Sequence, residues 1–115
     1  MADEIRSPGK TTIAPEVLQN IAELTALSVE GVSRMSVQIS TVGKLLPGSH
    51  RRGGVSVEVE DNTVNIELFV ILKNDVNVRQ VSREIQDEIS RAVSEMVGME
   101  VGEINVNIED IDYID

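Results

Sequence analysis

The chain has no cysteine and no tryptophan, and its 115 residues include one phenylalanine, one tyrosine, one histidine and three prolines. Without cysteine there is neither a disulfide framework nor a thiolate metal site. Phe69 and Tyr113 are the whole aromatic complement, too few to build a base-stacking platform for single-stranded nucleic acid. No apolar run approaches the ~20 residues of a membrane-spanning helix. The opening MADEIRSPGK lacks the basic start and apolar core of a signal peptide. Together these absences point to a soluble cytoplasmic protein, long enough to bury a core of its own as one domain.

Positive charge is scarce too. The formal net charge is −10, which argues against generic nucleic-acid binding. The distribution is uneven, however. From Gly31 to Val57 there are four basic residues, Arg34, Lys44, Arg51 and Arg52, and no acidic one, so that segment carries +4 and the remainder −14.

What is present is alternation. In Thr63 to Lys73, TVNIELFVILK, the even positions Val64, Ile66, Leu68, Val70 and Leu72 are all apolar, the period of two that gives a strand one continuous core face. The odd positions begin polar, at Thr63, Asn65 and Glu67, and turn apolar at Phe69 and Ile71. Such a strand belongs at the centre of a sheet, with its outer end covered. With Asp61-Asn62 as a two-residue turn, Val59 falls opposite Val64, Val57 opposite Ile66 and Val55 opposite Leu68. Glu58 then meets Asn65, and Ser56 meets Glu67. A slip of one residue would destroy both the apolar and the polar face.

Around this hairpin the remaining elements follow in order. Residues 1–8 read as a flexible leader and 9–115 as a single domain. Lys10 to Ile13 reads as a short strand. Pro15 suits the first turn of a helix over 15–28, whose buried stripe is expected at Val17, Leu18, Ile21 and Leu24, joined by Thr25 and Ser28. Val32 to Ile39 alternates as a strand. Residues 40–54, STVGKLLPGSHRRGG, form a basic, glycine-rich loop or a short helix around Val42 to Leu46. Asn77, with Gln80 three residues on, opens a long helix to residue 97. Its expected core stripe is Val78, Val81, Ile85, Ile89, Ala92, Val93 and Met96. Arg83, Asp87, Arg91 and Glu95 lie on the outer face at steps of four. Glu103 to Glu109 is the last strand. The order β-α-β-β-β-α-β, with one apolar stripe per helix, predicts an α+β two-layer sandwich: a mixed sheet with both helices on one face, and strands 63–73 and 103–109 parallel across the helical crossover.

Three blocks of the chain resemble the alkaline-shock protein family of Gram-positive bacteria, which is linked to the cell-envelope stress response. They are GKTTIAPEVLQNIAELTALSVEGVSRM (9–35), RGGVSVEVEDNTVNIELFVILKND (52–75) and, after the long helix, GEINVNIEDI (102–111). The resemblance implies a non-catalytic cytoplasmic protein that self-associates or works through partners, such as a membrane protein or a lipid-metabolism enzyme, near the inner face of the membrane. It brings no catalytic residues and no cofactor.

Candidate chemistry is sparse. His50 has no partner at metal-ligand spacing, there is no G-x-x-x-x-G-K-[ST] phosphate loop, and Ser36, Ser40 and Ser49 have neither an elbow nor a base nearby. Glu58, Glu60 and Glu67 read as a solvated hairpin face. We therefore expect no enzyme, no cofactor and no metal. Two contact surfaces are expected instead. One is the loop, where Lys44, Leu45, Leu46, Arg51 and Arg52 suit an anionic membrane surface, RNA or an acidic face of another copy. The other is a self-association patch of Phe69, Ile71, Ile111 and Tyr113. It holds together if the last strand runs unbroken, because Ile111 and Tyr113 then share the outward parity of Asn105, Asn107 and Glu109. A homo-oligomer follows from that patch. The competing readings are a nucleic-acid-associated regulator using residues 40–54 and a small-ligand binding domain.

Overall fold

The computed structural model describes residues 12–36 and 49–113, residues 49–52 by their backbone alone. In chain order the elements are α1 (Pro15–Ser28), β1 (Val32–Met35), β2 (Ser49–Arg52), β3 (Val55–Glu60), β4 (Thr63–Lys73), α2 (Val78–Met96) and β5 (Glu100–Asp112). This is the expected α+β sandwich. A mixed five-stranded sheet is centred on β4, α1 packs over β1 and β3, and α2 packs over β5. Of the strand expected at 10–13, Lys10 and Thr11 lie outside the described residues, and Thr12 and Ile13 form no strand. The strand expected over 32–39 is described to Met35, residues 37–39 lying outside.

The hairpin has the register read from the sequence, from Glu60 opposite Thr63 to Val55 opposite Leu68. Asp61 takes the left-handed conformation, φ 59°, which aspartate tolerates better than most residues. On its other edge β4 pairs with β5 in parallel, from Thr63 with Glu100 to Lys73 with Asp112. The even positions of β4 are buried, as are Val55 and Val57 of β3 and Val81, Ile85, Ile89 and Val93 of α2. Burial of each such side chain contributes about 1.5–3 kcal/mol.

A feature of the sheet that alternation does not reveal is that β1 and β3 lie end to end along one edge of β4. Met35 is opposite Val70 and Val55 is opposite Leu68. Between them Phe69 receives a hydrogen bond at its carbonyl from the Ser36 amide, 2.8 Å, and donates its own amide to the Gly54 carbonyl, 2.8 Å. In an antiparallel pair one residue normally makes both of these bonds. Here Ser36 supplies the donor and Gly54 the acceptor, so β1 and β3 are two halves of one strand and residues 37–53 are an excursion from a single position. Gly54 is fixed by this arrangement, since a Cβ there would stand 2.7 Å from the Ser36 carbonyl and 2.8 Å from that of Phe69.

The helices depart from the expected stripes. On α1 the buried residues are Leu18, Gln19, Ala22 and Ala26. Leu18, Ala22 and Ala26 step by four, and the two alanines bring the helix close to the sheet. Val17 (45% exposed) and Leu24 (68% exposed), expected inside, face solvent, and so does Leu27 (40% exposed). Thr25 and Ile21 are half-buried and Ser28 is exposed. On α2, Val78 and Met96 of the expected core stripe are exposed as well, and Ala92 is half-buried. Asn77 caps α2 as read, its side chain accepting from the Gln80 amide at 3.0 Å. Among the described residues the ion pair on this helix is Arg91 with Glu88, 3.6 Å apart, three residues apart instead of four.

Candidate interaction surfaces

The outer sheet face, opposite the helices, carries the odd positions of β4. At its polar end Asn107 of β5 donates from Nδ2 to Glu67 Oε2 and to the Leu68 carbonyl, both at 3.1 Å. At its apolar end the Arg34 guanidinium of β1 reaches across β4 to Asp112 of β5, with Nε 3.0 Å from Oδ2 and Nη2 3.1 Å from Oδ1. Ser33 Oγ donates to the same Oδ2 at 2.6 Å. A bulge in β1 at Ser33 turns two consecutive side chains toward one carboxylate. The Asp112 carboxyl is held below the usual carboxylate range, chiefly by the hydrogen bond from Arg34 and next by that from Ser33. The same bond raises Arg34.

The four residues expected to form a self-association patch do not converge. Phe69 is half-buried. Ile71 is only 6% exposed, and its register neighbours Arg34 and Asp110 place it beneath the span from Arg34 to Asp112. Ile111 is opposite Leu72, on the helix side of the sheet. Tyr113, just beyond β5, is 77% exposed. The parity argument fails at a bulge: Val70 pairs with Ile108 and Ile71 with Asp110, so Glu109 is an extra residue and every later side chain changes face. Asp110 and Asp112 take the outward places expected for Ile111 and Tyr113. The Asp110 carboxylate accepts from the Ile111 amide at 2.8 Å within this irregular turn of the strand.

Of the basic stretch 40–54, residues 40–48 lie outside the described residues, Lys44, Leu45 and Leu46 among them. Arg51 and Arg52 belong to β2, at register positions opposite Ser56 and Val55. His50 is opposite Val57 in the same short edge strand. Among the described residues no three His, Cys, Asp or Glu side chains gather as a metal site would require. An open depression of 390 Å³ at the end of α2 is lined by Ser90, Ser94, Gly98, Met99, Glu100 and Val101. It offers two hydroxyls and one carboxylate.

The surface that sequence periodicity hid is on α1. At 100° per residue, Val17, Asn20, Ile21, Leu24, Leu27 and Ser28 share a sector about 120° wide on the side of the helix away from Leu18, Ala22 and Ala26. That sector holds no charge. Glu16 and Glu23, seven residues apart, border it along one flank, Glu30 follows in the turn, and no basic residue lies between Pro15 and Ser33. The signal that would have found it is the four-residue spacing of Leu18 with the two alanines. Small residues at a helix–sheet contact leave the larger apolar side chains to solvent.

The model of the alkaline-shock protein 23 family, described as having a cell envelope-related function, matches residues 4–113. The chain belongs to this alkaline-shock protein family. Among its relatives, the uncharacterized protein YqhY of Bacillus subtilis (strain 168) is 30% identical over 110 residues, 91% of this chain and 78% of that one. The uncharacterized protein Spy1535 of Streptococcus pyogenes serotype M6 is 29% identical over 111 residues, 90% of this chain and 79% of that one. This family member also shares its fold with solved MamM CTD structures. One comprising MamM residues 215–293 aligns with a TM-score of 0.51 at 15% identity, covering 84% of this chain and 99% of that one. A zinc form of a MamM CTD variant gives 0.52 at 17%, covering 88% and 90%. Identities this low show the fold alone. Among the described residues no helix is long and apolar enough to cross a membrane.

Proposed function

We propose that this member of the family is a non-catalytic interaction protein, serving the family's cell envelope-related function by self-association or partner binding at the cytoplasmic face of the membrane. The observation that carries this reading is the uncharged outer sector of α1, where Val17, Leu24 and Leu27 are each at least 40% exposed. A fold with enough apolar residues to fill its core leaves these three outside it, and grouped apolar side chains of this kind mark contact surfaces. Tyr113 adds an exposed aromatic at a separate place, beyond β5.

The test is sedimentation of the purified chain over a wide concentration range, combined with affinity purification from the native cell at two salt concentrations. Wild type is compared with Leu24→Asp and Tyr113→Glu. An increase in mass with concentration, or a protein recovered by wild type and lost in either variant, supports the reading. Three species that stay monomeric and recover the same proteins would refute it. A retained RNA that dissociates steeply with salt would instead favour a nucleic-acid regulator.

A further inference from the structure

Among the described residues Ile71 is the single buried apolar side chain that does not belong to the continuous core beneath the helices. As an odd position of β4 it points to the outer face of the sheet, yet only 6% of it is exposed. We infer that Ser33, Arg34 and Asp112 form a releasable strap, which holds the end of β5 on the sheet and keeps Ile71 covered. Arg34 of β1 stands opposite Ile71, and Asp112 of β5 stands opposite Lys73. The guanidinium therefore crosses β4 just beyond Ile71 to reach the carboxylate. Asp110 flanks Ile71 from β5.

Two features make this end of β5 a unit that can open by itself. The bulge at Glu109 interrupts the ladder between β4 and β5 and separates the last pairs, from Ile71 with Asp110 to Lys73 with Asp112, from the rest of the strand. Beyond the bulge little apolar surface is buried: Ile111 is half-buried, Asp110 is exposed and Tyr113 lies open to solvent. What holds this end is polar. The Asp112 carboxylate accepts from Ser33 at 2.6 Å and from Arg34 at 3.0 and 3.1 Å, and the Asp112 carbonyl accepts from the Asn74 amide at 3.1 Å. Segments with few buried apolar contacts open locally at a lower free energy than the core. The Arg34 side chain is 58% accessible, so ionic strength and competing anions act on the strap directly, whereas the earlier part of β5 is held by backbone pairing and apolar burial. Opening takes Asp110 and Asp112 away together and presents Ile71 to solvent beside Phe69.

The chain has no cysteine, so Ile71→Cys places a single thiol under the strap, and Val70→Cys places one in the core as a reference. Each is made in the full chain with Asp112 intact and with Asp112→Ala, and the rate of reaction with a small maleimide is measured. In the cysteine-free protein, exchange of the Asn74 amide is followed by NMR beside that of residues 64–70. Asp112→Ala should speed both the reaction of the thiol at position 71 and the exchange of the Asn74 amide by at least about tenfold. The thiol at position 70 and the amides of 64–70 should not change. Raising the salt from about 0.05 M to about 1 M should speed both reporters more with Asp112 intact than in Asp112→Ala. Glu109→Ala, the same loss of charge beside the strap, should leave both as they are. Unchanged reporters in Asp112→Ala would overturn the proposal, because the contact then holds nothing. Faster exchange that spreads over 64–70 would overturn it too, because this end then opens only with the whole fold, as would an equal response to Glu109→Ala. Faster exchange at Asn74 with an unchanged thiol at position 71 would overturn the strap as a cover. If Ile71→Cys does not fold, the Asn74 amide decides, since that measurement leaves Ile71 in place.

Discussion

Deleting residues 37–54 and joining Ser36 directly to Val55 should leave a folded protein. In the native sheet Met35 is opposite Val70, Phe69 is bonded to Ser36 and Gly54, and Val55 is opposite Leu68. After the deletion Ser36 supplies both its amide and its carbonyl to Phe69, and every later pair of β3 keeps its partner and its face. The cost is the β2 ladder, four register pairs at the edge. Its net hydrogen-bond contribution, about 1 kcal/mol each, is offset by the entropy of ordering the same residues at about 1–2 kcal/mol apiece. On these figures the relief matches or exceeds the loss, so the shortened protein should be no less stable than wild type.

Deleting residues 36–54 instead, one residue more, places Val55 opposite Phe69 and inverts the face of β3. Val55 and Val57 then leave the core and Ser56 and Glu58 enter it, at a cost of at least about 3 kcal/mol from the two valines alone. Urea unfolding followed by circular dichroism distinguishes the two. Similar destabilisation by both deletions would refute the view of β1 and β3 as one interrupted strand.

Three further outcomes follow from particular contacts. Ala22→Leu should destabilise by about 1–3 kcal/mol through overpacking, whereas Leu24→Ala, on the exposed side of the same helix, should change the unfolding free energy by less than about 0.5 kcal/mol; thermal melts of the pair decide it. Gly54→Ala forces a side chain against two carbonyls and should lower stability by about 1–3 kcal/mol, read from urea unfolding. Because the Asp112 carboxyl is depressed in the fold, its ion pair contributes stability above the ordinary carboxylate value and loses it as pH falls through the lower folded value. The melting temperature of wild type should therefore drop toward that of Asp112→Asn as pH is lowered from about 5 to about 2, and parallel curves for the two proteins would show that the pair contributes nothing.

Much of the fold was legible because it rests on short-range periodicity. Alternation in Val55–Glu60 and Thr63–Lys73 fixed a register that the sheet reproduces pair for pair, since one face of a strand admits only one set of residues to the core. Asn77 and Gly98 bounded α2, the glycine with φ 75°, because helix ends need an acceptor at one terminus and a left-handed residue at the other. The tertiary structure decided which half of α1 is buried. Val17 and Leu24 are more hydrophobic than Ala22 and Ala26, but the distance between helix and sheet, set by the whole sandwich, admits the alanines and turns the larger side chains out.

Tertiary structure also decided the last strand. The bulge that adds Glu109 arises from pairing with β4, and no local pattern announces it, so the outward patch expected at Ile111 became the carboxylates of Asp110 and Asp112. The excursion after Ser36 belongs to the same class. That β1 and β3 share one edge of β4 is a fact about a third strand, and neither half of the interrupted strand records it. Sequence alone determined the faces of elements whose side chains alternate without interruption. Where a contact depends on how closely two elements approach, or on an extra residue in a partner strand, only the assembled sheet and helices settled it.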